Sequence, residues 1–414
     1  MANYTNAGKN SGQTMNKYGK LAAGVGLATV AAVGAAWANS KSRQAQLNEG
    51  RSGPPSMIDW EKVRSTAHRM NANQSVTAEW RQHWNRYYSE LVSRAVPIIE
   101  EYAHTSFPRN LDTVQVVSRT DWVDANIISF KQLFEPIEKL NREAQQRSNP
   151  NAVSQMVMGG INQTVISAEV GILLGYLGRR VLGQYDLSLL GKEPVVAGKV
   201  YFVEPNINQT IENMGVDGDE FRLWIALHET THAFEFESHP WVRQHFNSIL
   251  EKYFGLITDD LGRLKQNGGL GGYLKRIREN DAKGSGWIEK VMTPEQHALF
   301  EELQALMSIV EGYSNHMMNA IGSKLMPNYE QIKYRMDNRS KNRSLIDKLF
   351  VRLTGMNLKL EQYRLGEIFV DTVVEKKGID FANLIWAEAK YLPSLQEVKE
   401  PQRWISRVEI MQGA

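Results

Sequence analysis

His228, Glu229 and His232 stand in the pattern H-E-x-x-H. On a helix, residues four apart lie on one face with about 5–6 Å between their Cβ atoms. Both imidazoles can then reach one divalent ion at the roughly 2.0–2.1 Å of a zinc–nitrogen bond. Glu229 projects beside the first imidazole, where its carboxylate can take a proton from a zinc-activated water and hand it to a leaving amine. In a chain with 9 His among 414 residues, accidental matches to this pattern are expected on the order of one in a hundred. The alternative is a pair of core histidines with satisfied hydrogen bonds.

The chemistry requires a helix, and the surrounding sequence supplies one. Residues 217 to 240 read DGDEFRLWIALHETTHAFEFESHP. Asp217 or Asp219 can cap its start, acidic residues occupy its first turn, and Ser238-His239-Pro240 ends it. Phe221, Trp224 and Ile225 extend the histidine face toward the N-terminus, as a helix packed into a core requires. A catalytic zinc also needs a third protein ligand and an open fourth position. Downstream candidates are His239, His245, His297, Glu301, Glu302, Glu311 and His316. Glu311 is best placed, because it lies in MSIVEGYSNHMMNAIG among Ile309, Val310, Met317 and Met318, where an unpaired carboxylate is expensive to bury. The structural alternative is a buried Glu311 paired with Arg or Lys. Asn315, one turn on, can bond a histidine ligand from behind, and Tyr313 or His316 can stabilise an oxyanion.

The rest of the chain sets the frame. With 42% hydrophobic and 23% charged residues it can bury a sizeable core. It has no cysteine, which excludes disulfides, thiol catalysis and thiolate metal sites. Its net charge of +2 gives no broad basic face, so no nucleic-acid partner is expected. Apolar spacing predicts helices over Trp60 to Arg69, Val76 to His104 and Trp122 to Gln146. The best strand is Lys199 to Val203, an element that could add an extended substrate as a further strand. Gln266 to Tyr273 reads as a glycine-rich surface loop. The basic stretch from Lys333 to Lys348 reads as a solvated face, with contact to anionic lipid or an acidic peptide as the sharper alternative.

The expected organisation is a polar leader over 1–20, a transmembrane anchor or signal segment over 21–38, a flexible linker over 39–56 and a catalytic domain over 57–414. Leu21 to Ala38 carries no charge and reaches roughly 27 Å as a helix. A single N-terminal membrane anchor, its side undetermined, is the expectation. A signal peptide cleaved after Ala36-Trp37-Ala38, giving an exported protein, and a soluble core helix are the alternatives.

A wider set of segments carries a resemblance. SRTDWVDANIISF (Ser118 to Phe130), LGYLGRRVLGQYDL (Leu174 to Leu187), FVEPNI (Phe202 to Ile207), the active helix (Asp219 to Phe246), MSIVEGYSNHMMNAIG (Met307 to Gly322) and LKLEQYRLGEIFV (Leu358 to Val370) together resemble the bacterial zincin-like metallopeptidases named for an association with deazaflavin-coenzyme biosynthesis. The resemblance spans nearly everything from Ile58 onward. It implies a mainly α zincin-like fold with few short strands, to which the apolar N-terminal helix would be added, and a peptidase activity. It also implies Zn²⁺ held by His228, His232 and Glu311, with Glu229 as the catalytic base and a peptide or protein as substrate. Tyr313 stands where the family often has histidine, and Asn315 where related enzymes have aspartate. The rival expectations are a membrane-tethered zinc scaffold without turnover, closed by a fourth protein ligand, and a non-proteolytic role in deazaflavin-coenzyme metabolism.

Overall fold

Lys199–Phe202 forms the strand that its β-branched and aromatic residues predict, and it is the middle strand of three. In the computed structural model, which describes residues 56, 58–72, 76–107, 113–147, 163–185, 199–264, 293–340 and 361–413, β1 is Thr113–Val116, β2 is Gly183–Tyr185 and β3 is Lys199–Phe202. The order is β1-β3-β2, with β1 parallel and β2 antiparallel to β3. Side chains alternate across a strand, and β3 uses both faces. Val200 and Phe202 enter one hydrophobic cluster, while Tyr201 and the following Val203 enter another. Because both edges of β3 are paired, the expectation that it adds a substrate strand is corrected. Among the described residues β2 pairs only with β3, which leaves β2 at the edge of the sheet.

Helices cover the sheet. They are α1 (Trp60–Asn71), α2 (Ala78–Ala103), α3 (Arg119–Arg147), α4 (Gln163–Leu177), α5 (Glu204–Met214), α6 (Gly218–Glu237), α7 (Pro240–Leu264), α8 (Pro294–Met317), α9 (Tyr329–Ser340), α10 (Glu361–Lys377) and α11 (Pro401–Gly413). The smaller cluster lies among α1, α3 and α4. The larger one joins α2 and α5 to α8 with α10 and the C-terminal segment. Residues Ser56–Ala414 form one compact unit.

Two buried contacts fix the helices that matter for the site. Glu204 opens α5, and its carboxylate accepts from Arg222 Nη2 at 2.6 Å and from the Tyr88 hydroxyl at 2.5 Å. This ties α2, α5 and α6 together at one point. Arg222 also lies over the Trp84 ring, 4.6 Å from its centre. On the other side, α8 and α10 touch through their main chains. A Cβ placed on Gly312 would fall 2.1 Å from the carbonyl carbon of Gly366, and one on Gly366 would fall 1.7 Å from the Ser308 oxygen. Only glycine permits that approach.

The expected N-terminal apolar helix is corrected. A membrane span needs about 20 apolar residues, whereas the most apolar described helix, α4, has 15. No helix among the described residues is long and apolar enough to cross a membrane. The membrane location, the membrane partner and the transmembrane character expected of the chain are withdrawn with it. Leu21 to Ala38, the linker up to Pro55, Gln266 to Tyr273 and the basic stretch beyond Ser340 lie outside the described residues.

Candidate metal centre

The α6 helix starts as its sequence requires. Asp217 caps it, accepting from the backbone N–H groups of Asp219 and Glu220, and it ends at Ser238. Phe221, Trp224 and His228 stack one above the next, with ring planes 2° and 7° apart. That stack fixes the first imidazole, and His232 follows one turn later. Glu311 comes from α8, whose N-terminus is closed by a reciprocal capping box between Thr293 and Gln296. The Gly312–Gly366 contact sets the axial position of α8, and with it that of Glu311.

These elements bring His228, His232 and Glu311 together, with one potential donor atom from each lying within 4.8 Å of the others. The two Nε2 atoms are 3.2 Å apart. Two nitrogens on a tetrahedral zinc stand about 3.3 Å apart when each bond is roughly 2.0–2.1 Å, so the pair fits the ion. The remaining ring nitrogens are held from behind. Ser314 Oγ lies 2.8 Å from His228 Nδ1, and Glu235 Oε2 lies 2.8 Å from His232 Nδ1. Each imidazole therefore presents Nε2 to the shared space. All three donors are half-buried. Among the described residues the cluster contains these three donors, which is the donor number of an open, catalytic site rather than a closed, structural one.

The electrostatics favour a cation. Burial would by itself lower His232, but the carboxylates of Glu235, Glu311 and Glu229 outweigh it and push the ring up to about 10. Burial, reinforced by the charge of His232, holds His228 well below the usual histidine range. Burial also pushes the Glu235 carboxyl up to about 7, against the pull of His232. The same carboxylates attract a divalent ion, which must displace the proton from His232 to bind. Replacing Glu235 by Gln is expected to weaken zinc binding roughly 10- to 100-fold, read by competition with a chromogenic chelator. An unchanged affinity would show that the bond behind His232 does not matter.

Several candidates are placed elsewhere. His239 Nδ1 donates to the Glu235 backbone carbonyl, and the ring stacks on Trp386. His245 pairs with Glu302, and His297 with Glu301. The Tyr313 hydroxyl is buried on Asn383 Oδ1 at 2.8 Å. His316 is held between Tyr102 and Asp371 at 2.8 and 2.6 Å. Neither therefore presents a free donor to the metal centre. Ser314, not Asn315, bonds the histidine ligand. Glu235 and Ser314 escaped the sequence reading, although Glu235 sits one turn after His232 in HETTHAFE, where an acidic residue can reach the ring.

Glu229 is buried beside the cluster, with the backbone of β2 against it. A Cβ on Gly183 would lie 2.6 Å from Glu229 Oε1. The turn leading into β2 is held by Asn206, whose side-chain amide donates to Gly178 and Val181 carbonyls at 2.8 and 2.7 Å. Trp122 Nε1 donates to Gln184 Oε1 at 2.7 Å and fixes the strand from the other side.

A helix carrying H-E-x-x-H, a glutamate ligand from a later helix and a neighbouring edge strand define a metal-dependent hydrolase of the zincin class. The chain belongs to the zincin-like metallopeptidase family, whose profile matches residues 58–405. It is also similar to a solved structure from Chloroflexus aurantiacus, described as a candidate hydrolase with a novel fold. The two are 38% identical, the match covers 85% of this chain and 99% of that one, and the TM-score is 0.65. No curated protein matches the chain.

Proposed function

We propose that residues 57–414 form a zinc-dependent peptidase in which His228, His232 and Glu311 hold the ion and Glu229 is the general base. The observation that carries this reading is the set of three converging, half-buried donors with the buried Glu229 carboxylate beside them. A bound zinc ion supplies Lewis acidity toward water and a carbonyl oxygen. Glu229 receives the proton from the attacking water and returns it to the departing amine. Glu235 and Ser314 keep the two rings in the orientation that leaves Nε2 free to bind.

The substrate class follows from the position of β2. An extended peptide lying along an edge strand gains main-chain hydrogen bonds without regard to its side chains, and β2 is the strand whose own backbone, at Gly183, packs against Glu229. A narrower association with deazaflavin-coenzyme biosynthesis draws on the family's name alone, and no feature of the site supports it.

Stripping the protein with dipicolinic acid is expected to abolish cleavage of a denatured-proteome peptide library, and stoichiometric zinc to restore it. Cleavage that survives complete metal removal would overturn the proposal. Tight zinc binding with no cleavage of any peptide would instead make the chain a zinc-holding scaffold.

A further inference from the structure

Away from the metal centre, the turn after α4, the α5 helix, the start of α3 and the α9 helix enclose a polar cleft of about 960 Å³. Small-molecule sites run to roughly 300–1,000 Å³, so the space suits a ligand rather than a single ion. Arg119, Arg179, Arg180 and Arg335 all line it, and among the described residues no carboxylate does.

Structural arginines normally have anionic partners, but among the described residues three of these have none. Arg119 reaches neutral oxygens only: Asn206 Oδ1 at 2.6 Å, Gln209 Oε1 at 2.7 Å and the Pro205 carbonyl at 3.3 Å. Arg335 donates to the Met214 carbonyl at the end of α5. Arg179 is exposed, and among the described residues its side chain is in no ion pair. Burial and the neighbouring Arg179 both hold Arg119 below the usual arginine range. Arg119 is moreover the first residue of α3, at the end of the helix dipole that repels cations. Three effects thus work against its charge, and among the described residues no carboxylate pairs with it. Aromatic surface completes the lining: Tyr176 lies beneath Arg180 at 4.9 Å, and Tyr334 stands 69% exposed at the rim.

We propose that this cleft binds a compact polyanion, a small molecule carrying two or more phosphate or carboxylate groups, through Arg119, Arg179 and Arg335. Guanidinium forks match both oxyanions in geometry, and the anion would supply the charge that the arginines lack. The site is independent of hydrolysis.

The test uses the full-length zinc-loaded protein, titrated calorimetrically at low salt with inorganic triphosphate and, separately, with citrate. Saturable binding of at least one is expected; preference for triphosphate would assign phosphate groups, and preference for citrate carboxylates. Arg179→Glu should weaken it roughly 10- to 100-fold, and this variant should fold normally, because among the described residues the exposed side chain makes no hydrogen bond or ion pair. Arg335→Gln should weaken it in the same direction, whereas Lys399→Glu, outside the cleft, should have no effect. Binding should also survive removal of zinc. Failure of both probes to bind, binding indifferent to Arg179→Glu, or binding that disappears with the metal would overturn the proposal.

Discussion

Glu229→Gln is expected to lower kcat for peptide cleavage by roughly 10²- to 10⁴-fold, the usual contribution of a positioned general base, while zinc content stays that of the unaltered protein. The substitution keeps the shape of the side chain and removes only its capacity to accept a proton. Glu229 is buried, and the β2 backbone lies against its carboxylate, so the amide should occupy the same place. The metal donors are untouched, because the converging cluster consists of His228, His232 and Glu311. Two measurements together decide the matter: steady-state cleavage of a peptide the unaltered enzyme accepts, and metal analysis of both proteins. Activity within a few-fold of the original, with zinc in place, would remove Glu229 from the mechanism. Loss of activity accompanied by loss of zinc would give it a role in retaining the metal instead.

The largest effect on stability is expected at Glu204. Its side chain is 3% exposed and that of Arg222 is 9% exposed, so truncating Glu204 to Ala leaves a buried guanidinium unpaired and a buried Tyr88 hydroxyl without its acceptor. Breaking such a pair from one side costs about 3–5 kcal/mol, a large part of the roughly 5–15 kcal/mol that keeps a domain folded. Glu204→Gln should cost distinctly less, because its amide oxygen still accepts from Arg222 and the Tyr88 hydroxyl can turn to accept from the amide NH2. Urea unfolding of the two variants gives the comparison. A loss below about 1 kcal/mol in Glu204→Ala would mean that Arg222 finds another partner or reaches water. Since Arg222 belongs to the helix that carries both histidines, weakened zinc binding should accompany the destabilisation.

The parts of the site that could be read from the sequence are those fixed within one helix. His228, Glu229 and His232 are related by helical geometry alone, and Asp217 marks where that helix begins. Glu311 could be nominated because a carboxylate among Ile309, Val310 and Met317 needs a partner, although its pairing depends on how two distant helices pack. Finer choices required tertiary information. Ser314 and Asn315 are adjacent in sequence, and only the rotation of α8 against α6 decides which of them meets His228. Tyr313 and His316 were attractive as oxyanion donors until Asn383, Tyr102 and Asp371, all remote in the chain, engaged them. Among the elements, α4 was missed because Gln163–Leu177 is apolar around much of its circumference, which erases the one-sided stripe by which helices are recognised. β2 has 3 residues, too few for an alternation to register, yet it is the strand that approaches Glu229. Lys199–Phe202 was legible as a strand, but its central position depends on two partners that the sequence did not announce.

The meeting of α8 and α10 at Gly312 and Gly366 has a bearing on how the protein takes up its ion. Where two main chains interlock, neither helix can slide along its axis or roll without driving carbonyl groups into its neighbour. Glu311, beside Gly312, is thereby held in register with the imidazoles by the packing of the protein itself. Metal capture should then cost little chain entropy, and its rate is expected to follow the loss of the ion's water shell rather than remodelling of the protein.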